Sequence, residues 1–106
     1  MAQPEVKPGL GRYELKVPGG KLLRVDCAVE DQVLVRVKLS GDFFLHPEES
    51  ITILEERLKG VKAEEAEIKS IVEGFIGEGR LLIGLEPRHI VEAILGAAGK
   101  QVKPSL

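Results

Sequence analysis

The residues best placed to do chemistry or recognition sit in one run of eight, Ser40-Gly41-Asp42-Phe43-Phe44-Leu45-His46-Pro47. This run joins a carboxylate, two of the three phenylalanines and one of the two histidines to a glycine and a proline. It lies between an alternating strand and an amphipathic helix, and loops held by rigid flanks are where binding residues concentrate. Asp42 has two readings. It accepts backbone N–H bonds and stiffens the turn, as Asx residues do, or it presents its carboxylate to a partner or a bound nucleotide. Phe43 and Phe44 point in different directions if the segment is extended, so one can enter the core while the other faces a partner. An exposed aromatic beside a charged rim suits an interface anchor. His46 precedes a proline, which biases its backbone to extended geometry. It caps the following helix, stays solvated, or acts as a ligand or acid–base group.

The remaining reactive side chains point to enzymatic work more thinly. Pro18-Gly19-Gly20-Lys21 has the flavour of a phosphate loop. It lacks the spaced glycines and the Ser/Thr after lysine, and it joins strand to strand with no helix amino end to receive an anion. A glycine hairpin with a solvated lysine is the simpler reading. Gly74, Gly77 and Gly79 follow a helix and read as its C-cap and turn. Cys27 falls mid-strand on the apolar-patterned face, where a thiol is buried and inert. His89, in the first turn of the last helix, is expected to be solvated. Glu55-Glu56 and Glu64-Glu65-Glu67 read as solvated helix faces rather than a metal site.

The elements that must position these groups follow from periodicity. Tyr13, Leu15 and Val17 alternate with Glu14 and Lys16. Leu23, Val25, Cys27 and Val29 alternate with Leu22, Arg24, Asp26 and Ala28, and Val33, Val35, Val37 and Leu39 alternate with Leu34, Arg36, Lys38 and Ser40. Three such segments with short turns at 18–20 and 30–32 predict an antiparallel meander with one wet face. After Pro47 the period changes. Ile51, Leu54 and Leu58 form a helical stripe opening at Pro47 or Glu48 and closing at Lys59-Gly60. Ile68, Ile71, Val72, Phe75 and Ile76 mark a second helix over about 63–76, and Ile90, Ala93, Ile94, Ala97 and Ala98 a third over about 87–98. Arg80-Leu-Leu-Ile-Gly84 reads as a short strand or an extended connector. The fold class is α+β: a three-stranded antiparallel meander followed by two to three helices packed on one face. The predicted core is Leu23, Val25, Val33, Val35, Val37, Leu39, Ile51, Leu54, Leu58, Ile68, Ile71, Val72, Phe75 and Ile94. Residues 1–12 and 99–106 are expected to flank a domain over 13–98 as flexible tails. The start of the second strand and the end of the third share one sheet edge, so Lys21 and the Gly41–Phe44 loop are predicted to be neighbours in space.

Composition narrows the function classes. The chain has 106 residues, 43 % apolar and 30 % charged, and a net charge of −2, which describes one globular domain. The charge is unevenly spread, +1 over residues 1–47 and −3 over 48–106, and nothing in it is basic enough for a nucleic-acid footprint. No apolar run reaches the roughly 20 residues that span a bilayer. The amino terminus carries no hydrophobic signal region, so a cytoplasmic location is expected. A single cysteine allows no internal disulfide and no multi-cysteine metal site. The absence of asparagine and tryptophan, with abundant Glu, Lys and Arg, suggests a thermophilic source.

Lys16-Val-Pro-Gly-Gly-Lys-Leu-Leu-Arg-Val25, the alternating strand at 33–39, Ser40-Gly-Asp-Phe-Phe44, Pro47-Glu-Glu and the helix ending Leu58-Lys-Gly60 carry a family likeness. The Gly84–Ile90 helix start adds weaker support. Together they resemble the carboxy-terminal accessory domain of lipoate–protein ligases, fused to the catalytic domain in many bacteria and a separate small subunit in several archaea. The likeness runs from about Tyr13 to Ala98 and departs at Glu30-Asp31-Gln32, where family members often have glycine. It implies a catalytic partner that activates lipoate with ATP to lipoyl-adenylate and transfers lipoyl to a lysine of an acceptor protein. The arginine-led triple-glycine lipoate pocket of that partner is missing here. The resemblance therefore implies an accessory subunit in a heterodimer, with ATP, Mg and lipoate used by the complex and none bound by this chain alone. The acceptor protein would be met only indirectly. By position, Lys21, Gly41, Asp42, Phe43, Phe44 and His46 are the residues expected near the partner or its nucleotide. The alternatives are a protein-interaction module unrelated to lipoylation and, least favoured, an iron–sulfur scaffold, which needs three metal-binding cysteines where this chain has one.

Overall fold

A computed structural model of the protein describes residues 9–19 and 21–99. The predicted tails at 1–8 and 100–106 lie outside them. Three strands, β1 (Gly9–Lys16), β2 (Leu22–Glu30) and β3 (Val33–Gly41), form an antiparallel sheet in the order β1-β2-β3. Strand β1 begins at Gly9, so residues 9–12, expected in a tail, are paired with Asp26–Val29. The β2–β3 turn is a two-residue loop rather than a three-residue one. Asp31 and Gln32 both take left-handed backbone angles (φ 53° and 62°), the conformation that matches strand twist in tight hairpins.

One correction to the predicted alternation concerns β3. Ala28 pairs with Arg36 but Val29 pairs with Leu34, leaving Val35 as the extra residue of a bulge. The bulge reverses the facing of the strand's first half. Leu34 is fully buried and Val35, predicted in the core, is 36 % exposed. Leu34 is held on its other side by the segment after the first helix, through Leu34 N–H to Val61 O (2.8 Å) and Gly60 N–H to Leu34 O (2.7 Å).

Helix α1 (Ser50–Leu58) lies along β3, and its Glu55 accepts the otherwise open Leu39 N–H at 2.8 Å. Glu55, expected on a solvated face, thus closes a sheet edge that would attract another strand. The helix opens at Ser50, later than the predicted Pro47 or Glu48, because residues 47–49 form a turn closed by Ser50 N–H to Pro47 O at 2.9 Å. Helix α2 (Glu65–Ile76) packs on helix α3 (Pro87–Ala97), which crosses β1 and β2. Sandwiched between sheet and α2, α3 buries Ile90, Val91, Ala93, Ile94, Leu95 and Ala97, a wider face than the predicted stripe. Of the predicted core, Leu23, Val25, Val37, Leu39, Leu54, Leu58, Ile68, Val72, Phe75 and Ile94 are buried, whereas Val33, Ile51 and Ile71 are only half-buried.

Residues 81–83, left open between strand and connector, are a strand. Strand β4 (Phe44–His46) pairs antiparallel with β5 (Leu81–Ile83) in a separate two-stranded ribbon. The β4 strand occupies what reads in the sequence as loop.

Candidate functional site

The predicted meeting of Lys21 with the Gly41–Phe44 loop is present. Leu23 pairs with Gly41, and the Asp42 N–H donates to Leu22 O at 2.9 Å, so the loop leaves the sheet directly beside the start of β2. Gly41 has φ 146°, and a Cβ there would stand 2.1 Å from Leu22 O. Only glycine permits this close crossing. Gly19, Lys21, Gly41, Asp42, Phe43 and Phe44 line an open hollow of about 430 Å³.

Within it the side chains divide as the alternation of an extended segment requires. Phe43 is half-buried against the core, whereas Phe44 is 63 % exposed. Leu45 turns inward and is buried. Asp42 is exposed, and its carboxylate accepts no hydrogen bond from the described residues. His46 is exposed at the end of β4, not at a helix cap, with its ring stacked on Phe44 at 6.4 Å between centroids and 16° between planes.

A third element joins this end of the molecule that the sequence did not single out. Gly84 (φ 99°) ends β5 so close to the loop that a Cβ would touch the Lys21 side chain, Asp42 O and Phe43 Cα, each at 3.6 Å. The β4–β5 register sets Phe44 opposite Ile83 and His46 opposite Leu81. Leu81 and Ile83 are 56 % and 45 % exposed. The only sequence signal for them is the apolar run 81–83 directly after an arginine.

That arginine fixes the ribbon. The Arg80 guanidinium lies 3.8 Å above the Phe75 ring, and donates to Ser50 Oγ and Phe75 O, each at 3.1 Å. Arg80 and Arg57 both grip Glu78, and Arg57 also reaches over Phe75 at 5.1 Å. These hydrogen bonds, Arg57's first and Arg80's second, hold the Glu78 carboxyl down at about 2, well below its usual value.

His89 is buried, contrary to expectation. Its Nδ1 accepts the Glu86 N–H at 3.0 Å while the Glu86 side chain accepts the His89 N–H, a capping box that opens α3. Cys27 is buried as expected, and burial pushes its thiol up to about 11, which suits an inert core residue.

The sequence matches the family described as bacterial lipoate protein ligase C-terminus over residues 12–94. The chain belongs to this family. It is 34 % identical over 73 residues to lipoate-protein ligase A subunit 2 of Thermoplasma acidophilum, covering 69 % of this chain and 76 % of that protein. Its fold is similar, with a TM-score of 0.68 and 29 % identity, to a chain in the structure of an archaeal lipoylation system, a bi-partite lipoate protein ligase and its E2 lipoyl domain from the same organism. That likeness covers 82 % of this chain and 93 % of the other. The matched span of this lipoate–protein ligase domain includes Lys21, the Gly41–His46 run and the ribbon strand β5, so the whole hollow lies within the family's own region.

Proposed function

We propose that this chain is the accessory subunit of a two-component lipoate–protein ligase, in which the hollow edge at Lys21 and Gly41–Phe44 meets the catalytic subunit near its nucleotide. The observation that carries the reading is the family membership of a chain whose candidate residues gather at one sheet edge. Lipoate and ATP are used by the complex, with Mg beside the phosphates. Lys21 is the cation among the residues lining the hollow, and its part toward a nucleotide is a single ammonium near a phosphate. The described residues hold no cluster of His, Cys, Asp or Glu suited to a metal, and the reading assigns Mg and ATP to the catalytic subunit.

Such an edge assists adenylation by closing the site, excluding water and adding positive charge where pyrophosphate leaves. Asp42, free of bonds within the described chain, is available to a donor on the partner. Gly41 lets the loop approach closely, Phe44 and His46 form a stacked pair beside it, and Phe43 anchors the loop to the core. No helix among the described residues is long and apolar enough to cross a membrane, and the reading places the complex in the cytoplasm.

Lys21→Ala and Asp42→Ala test the assignment. Both side chains are exposed, so the thermal midpoint should not move. Lipoate- and ATP-dependent pyrophosphate release by the mixed subunits should fall, while transfer from preformed lipoyl-adenylate suffers less, its phosphate chemistry being complete. Wild-type release by both variants at limiting subunit concentration would remove this edge from the mechanism.

A further inference from the structure

Among the described residues four large hydrophobic side chains are exposed, Val35, Phe44, Leu81 and Ile83, and three of them share one face of the β4–β5 ribbon. With His46, which stacks on Phe44, they make a patch without a formally charged side chain on a protein that is 30 % charged. Charge depletion at the centre with aromatic and apolar anchors is the composition of an interface core, and charges belong to its rim. Lys21 and Asp42 supply that rim, because Gly84 seats the end of β5 directly against them.

We infer that the outer face of the ribbon, Phe44, His46, Leu81 and Ile83, is the apolar anchor by which this chain docks on the ligase catalytic subunit. This rests on the accessory-subunit reading and specifies which surface makes the contact. One observation chooses the catalytic subunit over a second copy of this chain: the patch is continuous with the Lys21–Asp42 edge that faces that subunit in the reading. A stable specific interface needs about 800 Å² per partner, so three hydrophobic side chains serve as the centre of a larger contact that takes in this charged edge. The ribbon is also held in one place: Arg80, tied to Phe75 and Ser50, fixes β5 from below. A pre-organised apolar anchor binds with little ordering cost.

The test is the affinity of the purified chain for the purified catalytic subunit, measured by calorimetry, with circular dichroism melting as a check on folding. Leu81→Glu and Ile83→Glu each place a carboxylate in the desolvated centre, and should weaken binding by about 30-fold or more. Phe44→Ser should act in the same direction without adding charge. Val35→Glu, the exposed hydrophobic away from the ribbon, should bind as wild-type does. Wild-type binding that all three ribbon variants share at equal affinity would overturn the inference while leaving the accessory reading standing. Failure of the wild-type chain itself to bind would overturn both. A homodimer of the isolated chain that Leu81→Glu dissociates, with heteromeric affinity unchanged, would assign the face to a second copy and also overturn it.

Discussion

The outer face of the main sheet and the outer face of the β4–β5 ribbon solve the same problem in opposite ways. Each is a strand surface turned to solvent. On the main sheet the cross-strand neighbours are ionic: Arg12 pairs with Asp26 at 2.6 Å and Arg24 with Glu14 at 2.7 Å. Those side chains are well exposed, contribute little to stability and keep the sheet wet and solitary. On the ribbon the corresponding pairs are Phe44–Ile83 and His46–Leu81, with no formal charge. Two strands of three residues do not stand alone in water. The ribbon persists because Leu45 is buried on its inner side and because Arg80 locks its entry to Phe75 and Ser50. A surface held so firmly and left so apolar is arranged for something other than solvent.

The largest expected effect breaks the support under the ribbon. Phe75 is buried and is the platform for both arginines, so Phe75→Ala should cost about 3–5 kcal/mol in chemical denaturation. It should also loosen β5, seen as faster amide exchange at Leu81–Ile83 than in the main sheet. Equal protection of both regions in the variant would show that the ribbon does not depend on this platform.

Next in size is the contrast across the bulge. Leu34→Ala should cost about 2–5 kcal/mol, whereas Val35→Ala should stay within about 0.5 kcal/mol, as exposed substitutions do. The reverse order would restore simple alternation along β3 and remove the bulge.

A smaller effect is set by pH. Glu78 titrates near 2 in the folded protein against an ordinary 4.5, because Arg57 and Arg80 hydrogen-bond its charged form. A depressed carboxyl pKa stabilises the fold above the unfolded value and loses that contribution as pH falls toward the folded one. The stability gap between wild-type and Glu78→Gln should therefore be full above about pH 4.5 and close between there and about pH 2. A gap unchanged across that window would mean that the carboxylate is not held by the arginines.

The smallest effect belongs to the wet face. Arg12→Ala should leave the thermal midpoint within the scatter of wild-type, and a clear drop would show that this ladder is structural.

These contrasts also explain what the sequence made legible. Long periodic elements were readable because many side chains repeat the same facing: β2, α2 and α3 lie where their periods predict, and α3 only widened its buried face. Lys21 and Gly41 could be brought together on paper because antiparallel pairing fixes which strand ends meet. What escaped were features decided by a few tertiary contacts. The bulge at Val35 depends on Gly60 and Val61 pairing with Leu34. The burial of His89 depends on its capping box with Glu86. The closing of β3 depends on Glu55, read as a solvated residue. The ribbon joins segments more than thirty residues apart through strands too short to show a period, so the apolar run at 81–83 left strand and connector open until Phe44 and His46 were seen beside it.

If this domain completes a ligase whose chemistry resides in another chain, lipoate-dependent pyrophosphate release from the catalytic subunit depends on it. Titrating that subunit with this chain at saturating ATP should give negligible release from either chain alone and a rise that saturates as the two approach a fixed ratio. Full release from the catalytic subunit alone, unchanged by adding this chain, would contradict that dependence.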